Sequence, residues 1–418
     1  MSSSEPPIVS ADSSPRAAGS ARPGWHWLLW YAPPLAAALW AGAITIGGGS
    51  FDPWAPAMID LDVYRRTGSR LLAGENIYVA DGLPWIYPPF AALFTIPLAL
   101  LPVPVAEVGW IALTVAVLLA MLYRLGLTGW TLSLATTAAV WLAEPVRETL
   151  GFGQLGVLLV AAVVLDSMPG PRLFGRRLLP EGVLIGVATA VKLTPALVAA
   201  AAFFAGRRRV GWVAFLSFCA ATGVGIALMP AGSRHYWGGL ITGDSGINAG
   251  IVFKTNQSVL GVWARLTGDV SLGGLTLSAG VAIAGIVVAV LVHRAGQQQL
   301  AVCLAGMTSL LASPISWSHH YVWIVPLTVV LIRRRELAAS LRVFGLFYAI
   351  WCLHAPFKQL PGGEGVEFTY SLGNQIIANL GVVLGLLVLG WAGVLAWGSL
   401  RADSTRPGVR VLASGSAR

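Results

Sequence analysis

The sequence predicts an all-α, polytopic integral membrane protein. Three observations carry that prediction. Hydrophobic residues make up 56% of the 418 and charged residues 11%, and the mean hydropathy is +0.73, values of a membrane-embedded chain. The apolar residues fall in runs, several near the roughly 20 residues that cross a bilayer as a helix. Arginines gather in the short polar stretches between runs, as topology signals do.

The runs justify about 12 transmembrane helices in order. Trp25–Ile46 is a full span behind Arg16 and Arg22. Pro88–Leu101 opens on two prolines, which suit the first turn of a helix. Val105–Leu122 spans alone, whereas Trp130–Ala143 and Leu155–Ser167 are short. Gly182–Gly206 is long but interrupted by Lys192 and Pro195. Val210–Met229 and Leu272–Val292 are full length. Leu300–Leu311, Tyr321–Ile332 and Val343–Leu353 are short, and Gln375–Trp397 closes the set. Bundles tolerate short or broken helices where protein surrounds them.

Arginine placement sets the orientation. Arg16 and Arg22, Arg207–Arg209, Arg333–Arg335 and Arg401, Arg406 and Arg410 read as cytoplasmic. Both termini are then cytoplasmic and the span count is even. Arg172, Arg176 and Arg177 conflict with one span per run. Either Gly182–Gly206 is a helical hairpin broken near Lys192–Pro195, or an earlier short run does not cross. Three polar stretches face outward: Gly47–Tyr87, Pro230–Ser271 and His354–Asn374. His319 and His320 end a span on that same side. The expected organisation is a disordered cytoplasmic N-terminus at residues 1–23, one transmembrane domain at 24–400 with its first outer loop at about 47–87, and a cytoplasmic tail at 401–418. No cleaved signal peptide is expected.

A net charge of +9 serves topology and contacts to membrane lipids here, and no nucleic-acid partner is expected. Cys219, Cys303 and Cys352 fall in apolar stretches without metal or redox spacing and read as inert thiols. Walker, Rossmann and Gly-x-Ser-x-Gly signatures are absent from the sequence, which argues against a nucleotide donor held by those devices.

Asp52, Asp60, Asp62, Glu75 and Asp81, five of the 18 acids, crowd into the first outer loop. Carboxylates grouped at one membrane face point to function, and one of them can act as a general base. The alternative is a solvated loop whose acids pair with Arg65, Arg66 and Arg70. Asp60-Leu-Asp62 also has the spacing of metal-assisted sugar transfer, and in an extended segment both side chains share one face. Residues 67–74 read as a short amphipathic helix, one of the surface helices expected on the outer loops, with Tyr64 resting it on the membrane. Tyr87 precedes Pro88-Pro89 and lines a cleft or simply fixes the start of the second span.

Lys192, inside an apolar run, either snorkels to the interface or faces an anionic lipid phosphate. His319 and His320 follow a Pro-broken helix among Ser and Trp. Imidazolium donates to phosphate and neutral imidazole takes a proton. Lys254, Asn256, Gln257 and Arg265 add donors from the second outer stretch. Trp317 is an interface anchor or a platform on which a sugar stacks.

Taken together, Ile59-Asp-Leu-Asp-Val-Tyr64, Gly74-Glu-Asn-Ile-Tyr78, Tyr87-Pro-Pro-Phe90, Gly153-Gln154, Gly186–Pro195, Asn256-Gln-Ser258 and Ser313–Tyr321 form an ordered series over most of Ile59–Asn379. The chain resembles the bacterial polyprenol-phosphate-mannose-dependent α-(1→2)-mannosyltransferases, glycosyltransferase family 87, with the GT-C fold. The resemblance implies polyprenyl-phosphate-mannose as lipid-linked co-substrate and a mannosylated lipid as acceptor, a phosphatidylinositol mannoside or lipomannan. It implies an inverting transfer on the extracytoplasmic face of the plasma membrane. It assigns the base to Asp60, with Asp62 as fallback. The family's Gly-Gln pair falls on Gly153-Gln154, although Phe152 stands where the family commonly has asparagine. Lys192, His319, His320 and Arg265 are the expected donor-phosphate ligands. Tyr64, Tyr87, Gln154, Lys254, Asn256, Gln257 and Trp317 are expected in the substrate cleft. No metal and no cofactor is expected, since one base with arginine partners accounts for the outer acids. The competing classes are a lipid-linked sugar transporter, which would usually show repeated halves, and a GT-C enzyme using another donor such as an arabinofuranosyl lipid.

Overall fold

The computed structural model describes residues 31–36, 58–79, 82–242, 250–363 and 365–404. The expected disordered N-terminus, most of the first apolar run, Asp52, Asp81 and the tail beyond residue 404 lie outside the described residues.

No strand occurs among the described residues, and helices follow one another in short steps. The described part of α1 covers 31–36. Next come α2 (Ile59–Leu72), α3 (Pro89–Ala92), α4 (Ile96–Leu100), α5 (Val103–Arg124), α6 (Gly129–Leu142), α7 (Glu144–Phe152), α8 (Gly156–Ser167), α9 (Val183–Val191) and α10 (Ala196–Phe204). The second half holds α11 (Arg208–Leu228), α12 (Pro230–Thr242), α13 (Val259–Thr267), α14 (Leu272–Arg294), α15 (Gln298–Ala312), α16 (Ile324–Arg333), α17 (Ala339–His354) and α18 (Leu372–Ser404).

Five of these are long and apolar enough to cross a membrane: α5, α11, α14, α17 extended by a 3-10 turn to Gln359, and α18. That is fewer unbroken spanning helices than the 12 expected. Prolines account for part of the difference. Pro89, Pro97, Pro104 and Pro145 sit in first turns of α3, α4, α5 and α7, where the missing N–H is harmless. Each therefore starts a new helix rather than continuing an old one. The outward faces are apolar: α11 exposes Trp212, Phe215 and Leu216, and α14 exposes Leu275, Ile283 and Val287. Such faces are unfavourable in water and matched by hydrocarbon. The chain is a multi-pass membrane protein.

The interrupted run Gly182–Gly206 forms a hairpin. Lys192 leaves the helical conformation at φ −152°, ψ 129° after α9, and Pro195 stands ahead of α10, so the chain breaks where the lysine and proline predicted. Both ends of the hairpin return to one face. The Arg207 guanidinium pairs with Glu181 there, and Arg177 Nη1 lies 3.0 Å from Asp166 Oδ1. Asp166 Oδ2 also accepts from the Gly182 and Ile185 amides at 2.9 and 3.1 Å, satisfying the start of α9 from another helix. This geometry removes the conflict over Arg172, Arg176 and Arg177. They share a face with Arg207–Arg209, and the apex at Lys192 points to the opposite face. Gly186 lets α9 and α11 touch, since a β-carbon there would lie 2.2 Å from the Ala214 carbonyl oxygen.

Candidate active site

The site is assembled at the face opposite the arginines, from α2, the loop before α3, the α7–α8 junction, the hairpin apex and the 3-10 segment Ser318–Trp323. Helix α2 begins at Ile59 and carries Asp60 and Asp62 in its first turn, where the helix dipole favours acids. It starts earlier than expected, because Leu61, Tyr64, Thr67 and Gly68 form one buried face along it. The expected extended Asp-x-Asp is therefore helical. Residues two apart in a helix diverge by about 200°, so the two carboxylates part. Asp60 faces the cavity, whereas Asp62 lies in solvent, 2.9 Å from Arg66 Nε.

Two backbone features fix α2. Met58 takes left-handed φ 44°, and its N–H bonds the Gly151 carbonyl at 3.0 Å. Gly153 has φ 69°, and a β-carbon there would sit 2.6 Å from Leu61 Cβ. Only glycine accepts both the angle and the contact, so Asp60 comes to lie beside Gln154.

Gln154 is oriented by two phenols. Tyr64 and Tyr87 donate to its Oε1 at 3.1 and 3.0 Å, and their hydroxyl oxygens lie 3.2 Å apart. With Oε1 occupied by donors, the amide nitrogen is left to donate, and the Gln154 side chain lowers the proton affinity of the neighbouring Asp60 carboxyl. Burial raises the Asp60 carboxyl to about 6, opposed by the Gln154 hydrogen bond and the Lys192 charge. A carboxylate in that range is ionised at neutral pH and still basic enough to take a proton.

Lys192 does not itself line the cavity but stands behind two residues that do: its Nζ lies 3.0 Å from His320 Nε2 and 5.7 Å from the Tyr87 ring centroid. An ammonium only donates, so His320 Nε2 accepts and this ring is neutral. The His319 ring packs edge-on to Phe152 and to His320, at centroid distances of 5.4 and 4.6 Å. Its Nε2 is buried without a partner among the described residues. Trp317 and Lys254 complete the expected residues lining this cavity of about 640 Å³.

The structure does not bring every expected residue to the cavity. Arg265 is buried behind it, donating from Nε to Asn379 Oδ1 at 2.8 Å and from Nη1 to the Asn256 carbonyl at 2.9 Å. Asn256 ties two loops together: its Nδ2 donates to the Ile251 carbonyl and its Oδ1 accepts from the Ser316 amide, both at 2.8 Å. Gln257 Nε2 donates to the Lys254 and Ala378 carbonyls at 2.9 Å. These three hold the frame rather than line the cleft: most of their polar atoms bond backbone and neighbouring side chains, and only Gln257 Oε1 and Arg265 Nη2 are left buried without a partner among the described residues. Tyr64 stands behind Gln154 and faces a second, apolar groove of about 440 Å³. Arg65, expected at headgroup level, instead donates to the Leu98 and Leu101 carbonyls at 2.6 and 2.7 Å.

Sequence reasoning missed Glu148 and Lys358, which also line the cavity. Lys358 Nζ lies 2.5 Å from Glu148 Oε1 and 3.1 Å from Glu144 Oε1. The available signal was the i,i+4 pair Glu144 and Glu148 directly after an apolar run.

A cavity with an oriented carboxylate on one wall and a lysine–histidine pair on another suits group transfer from an anionic leaving group. The comparisons with known proteins agree. The family model for glycosyltransferase family 87 matches residues 85–314. A Mycobacterium tuberculosis (strain ATCC 25618 / H37Rv) protein, named polyprenol-phosphate-mannose-dependent alpha-(1-2)-phosphatidylinositol mannoside mannosyltransferase, is 31% identical over 73% of this chain and 78% of its own. The protein of the same name from Mycolicibacterium smegmatis (strain ATCC 700084 / mc(2)155) is 32% identical over 88% of this chain and 89% of its own. A phosphatidylinositol pentamannoside mannosyltransferase from Mycobacterium tuberculosis (strain CDC 1551 / Oshkosh) is 36% identical over 80% of each chain. No solved structure matches. The family model spans both Gln154 and the hairpin: the chain belongs to glycosyltransferase family 87 and is a glycosyltransferase.

Proposed function

We propose that this enzyme transfers mannose from polyprenyl-phosphate-mannose to a phosphatidylinositol mannoside or lipomannan acceptor, forming an α-(1→2) bond with inversion. The observation that carries the reading is the pairing of two spaces around one wall. One cavity carries the Asp60 carboxylate and the His320 ring in its wall, with the Lys192 ammonium hydrogen-bonded to that ring. The apolar groove lies behind Tyr64 and Leu155 and is lined by α4, α5, α8 and α9 residues such as Leu98, Leu113, Leu159 and Val187. A sugar phosphate on an isoprenoid chain needs both kinds of space side by side.

In this mechanism the Asp60 carboxylate takes the proton of the acceptor 2-hydroxyl. The hydroxyl oxygen bonds to the mannosyl C1 as the C1–O bond to phosphate breaks on the opposite side. Polyprenyl phosphate leaves with that electron pair, and the lysine ammonium neutralises its charge while His320 keeps the lysine in place. A phosphate is already a good leaving group, so cationic donors replace an acid, and no metal takes part. The transition state carries oxocarbenium character. Trp317 offers a stacking face to the acceptor sugars, and the Glu148–Lys358 pair and Lys254, whose ammonium is held by the Lys358 and Leu360 carbonyls, line the same space. The fold is of the GT-C type with about 12 membrane passes, some made by short or paired helices. The site faces outward from the plasma membrane and both termini are cytoplasmic, in keeping with the arginine-rich face lying opposite.

The test is transfer by purified protein in nanodiscs, with labelled mannosyl lipid and a panel of phosphatidylinositol mannosides. Asp60→Asn abolishes product while the protein remains folded. Unchanged turnover would remove Asp60 from the role of base, and movement of the lipid across the bilayer without product would favour a transporter.

A further inference from the structure

A third cavity, of about 300 Å³, opens on the arginine-rich face, far from the carboxylate. The end of α5, the turn after α8, the start of α15 and the end of α16 meet there. Arg124, Arg333 and Arg334 line it, and no carboxylate does. Arg124 is only 9% exposed. Its Nη2 and Nη1 donate to the Leu165 and Gly170 carbonyls at 2.7 and 3.3 Å, and its Nε is buried with no partner among the described residues. The Arg333 side chain has no hydrogen bond or ion pair among the described residues. It lies over bare backbone, since a β-carbon built on Gly126 would be 3.2 Å from its Nη2.

The acids of this face are already engaged. Asp166 and Glu181 pair with Arg177 and Arg207. Glu336 lies 3.3 Å from Arg334 Nη1, at the exposed rim. Arg334 also donates from Nε to Gln299 Oε1 at 2.9 Å, whereas Arg124 and Arg333 have no carboxylate partner among the described residues, and guanidiniums left so around a concave space are costly unless an anion joins them. Their fork of donors matches phosphate oxygens, and the space is of ligand size.

We propose that this cavity is a phosphate-binding site, distinct from the transferase site, that takes the phosphate of an anionic lipid headgroup or a free phosphate. Basic pockets between membrane helices are suited to such headgroups. The site does not depend on the mannosyl-transfer reading.

The experiment uses the full chain, stripped of lipid in non-ionic detergent and titrated with phosphatidylglycerol or phosphatidylcholine, with bound lipid counted by native mass spectrometry. Inorganic phosphate is added as competitor. One saturable phosphatidylglycerol per chain is expected, weakened about tenfold by Arg333→Glu and left unchanged by Arg335→Glu, which alters the same face outside the cavity. A melting curve for each variant verifies the fold. Displacement by millimolar inorganic phosphate would assign the site to free phosphate, and resistance to it would assign the site to a lipid headgroup. Equal weakening by both substitutions, or lipid adding without saturation at one per chain, would reduce the effect to diffuse surface charge and overturn the proposal.

Discussion

Replacing Gln154 by leucine tests whether Asp60 is the base without removing Asp60. Gln154 is pinned by Tyr64 and Tyr87 at 3.1 and 3.0 Å, which leaves its amide nitrogen to donate, and it lowers the proton affinity of the Asp60 carboxylate against the effect of burial. A hydrogen bond to a charged group is worth about 1.5–3 kcal/mol, and 1.36 kcal/mol corresponds to a tenfold change in proton affinity. Taking the lower end, the wild-type rate falls as pH drops through about 6, and Gln154→Leu moves that limb to roughly pH 7. The sign follows from the role: a base must be unprotonated, and loss of a donor favours the protonated form. Single-turnover transfer in nanodiscs between pH 5 and 9 reads the chemical step without product release. The two phenols remain 3.2 Å apart and continue to satisfy each other, which limits the structural damage. A limb unmoved by Gln154→Leu, or one that persists in Asp60→Asn, would refute the reasoning.

Lys192→Met lowers kcat by about a hundredfold, as loss of a charge-stabilising donor does, and its pH limb also rises because the ammonium favours ionised Asp60; kcat and the pH profile of the variant check both. Asp62→Asn changes the rate within about twofold, since it loses only an exposed i,i+4 pair with Arg66, and a large loss would restore Asp62 as a candidate base. Arg265→Leu leaves buried acceptors on Asn379 and Asn256 unpaired and costs about 3 kcal/mol, read as a lower melting temperature with little change in KM for the donor lipid.

Helical class and the break at Lys192–Pro195 were legible in the sequence because apolar period, proline chemistry and the expense of a lysine in hydrocarbon are local properties. The hairpin needed one more fact, the Asp166 carboxylate reaching from α8 to the first amides of α9, and no local pattern carries that. The split between Asp60 and Asp62 was legible only through the period assigned to them. An extended segment would have aimed both at one ligand, whereas the helix sends one inward and one to solvent. Asn256, Gln257 and Arg265 looked like free donors because polarity in an outer loop resembles a site until the carbonyls that absorb it are known. Glu148 and Lys358 were invisible for the converse reason. They sit 210 residues apart in a sequence whose helices bring them within 2.5 Å, and a charge pair across that distance has no signature in either segment. Asp60, Gln154, Tyr64 and Tyr87 come from three separate segments, and a glutamine whose oxygen is taken by two phenols has one way left to point.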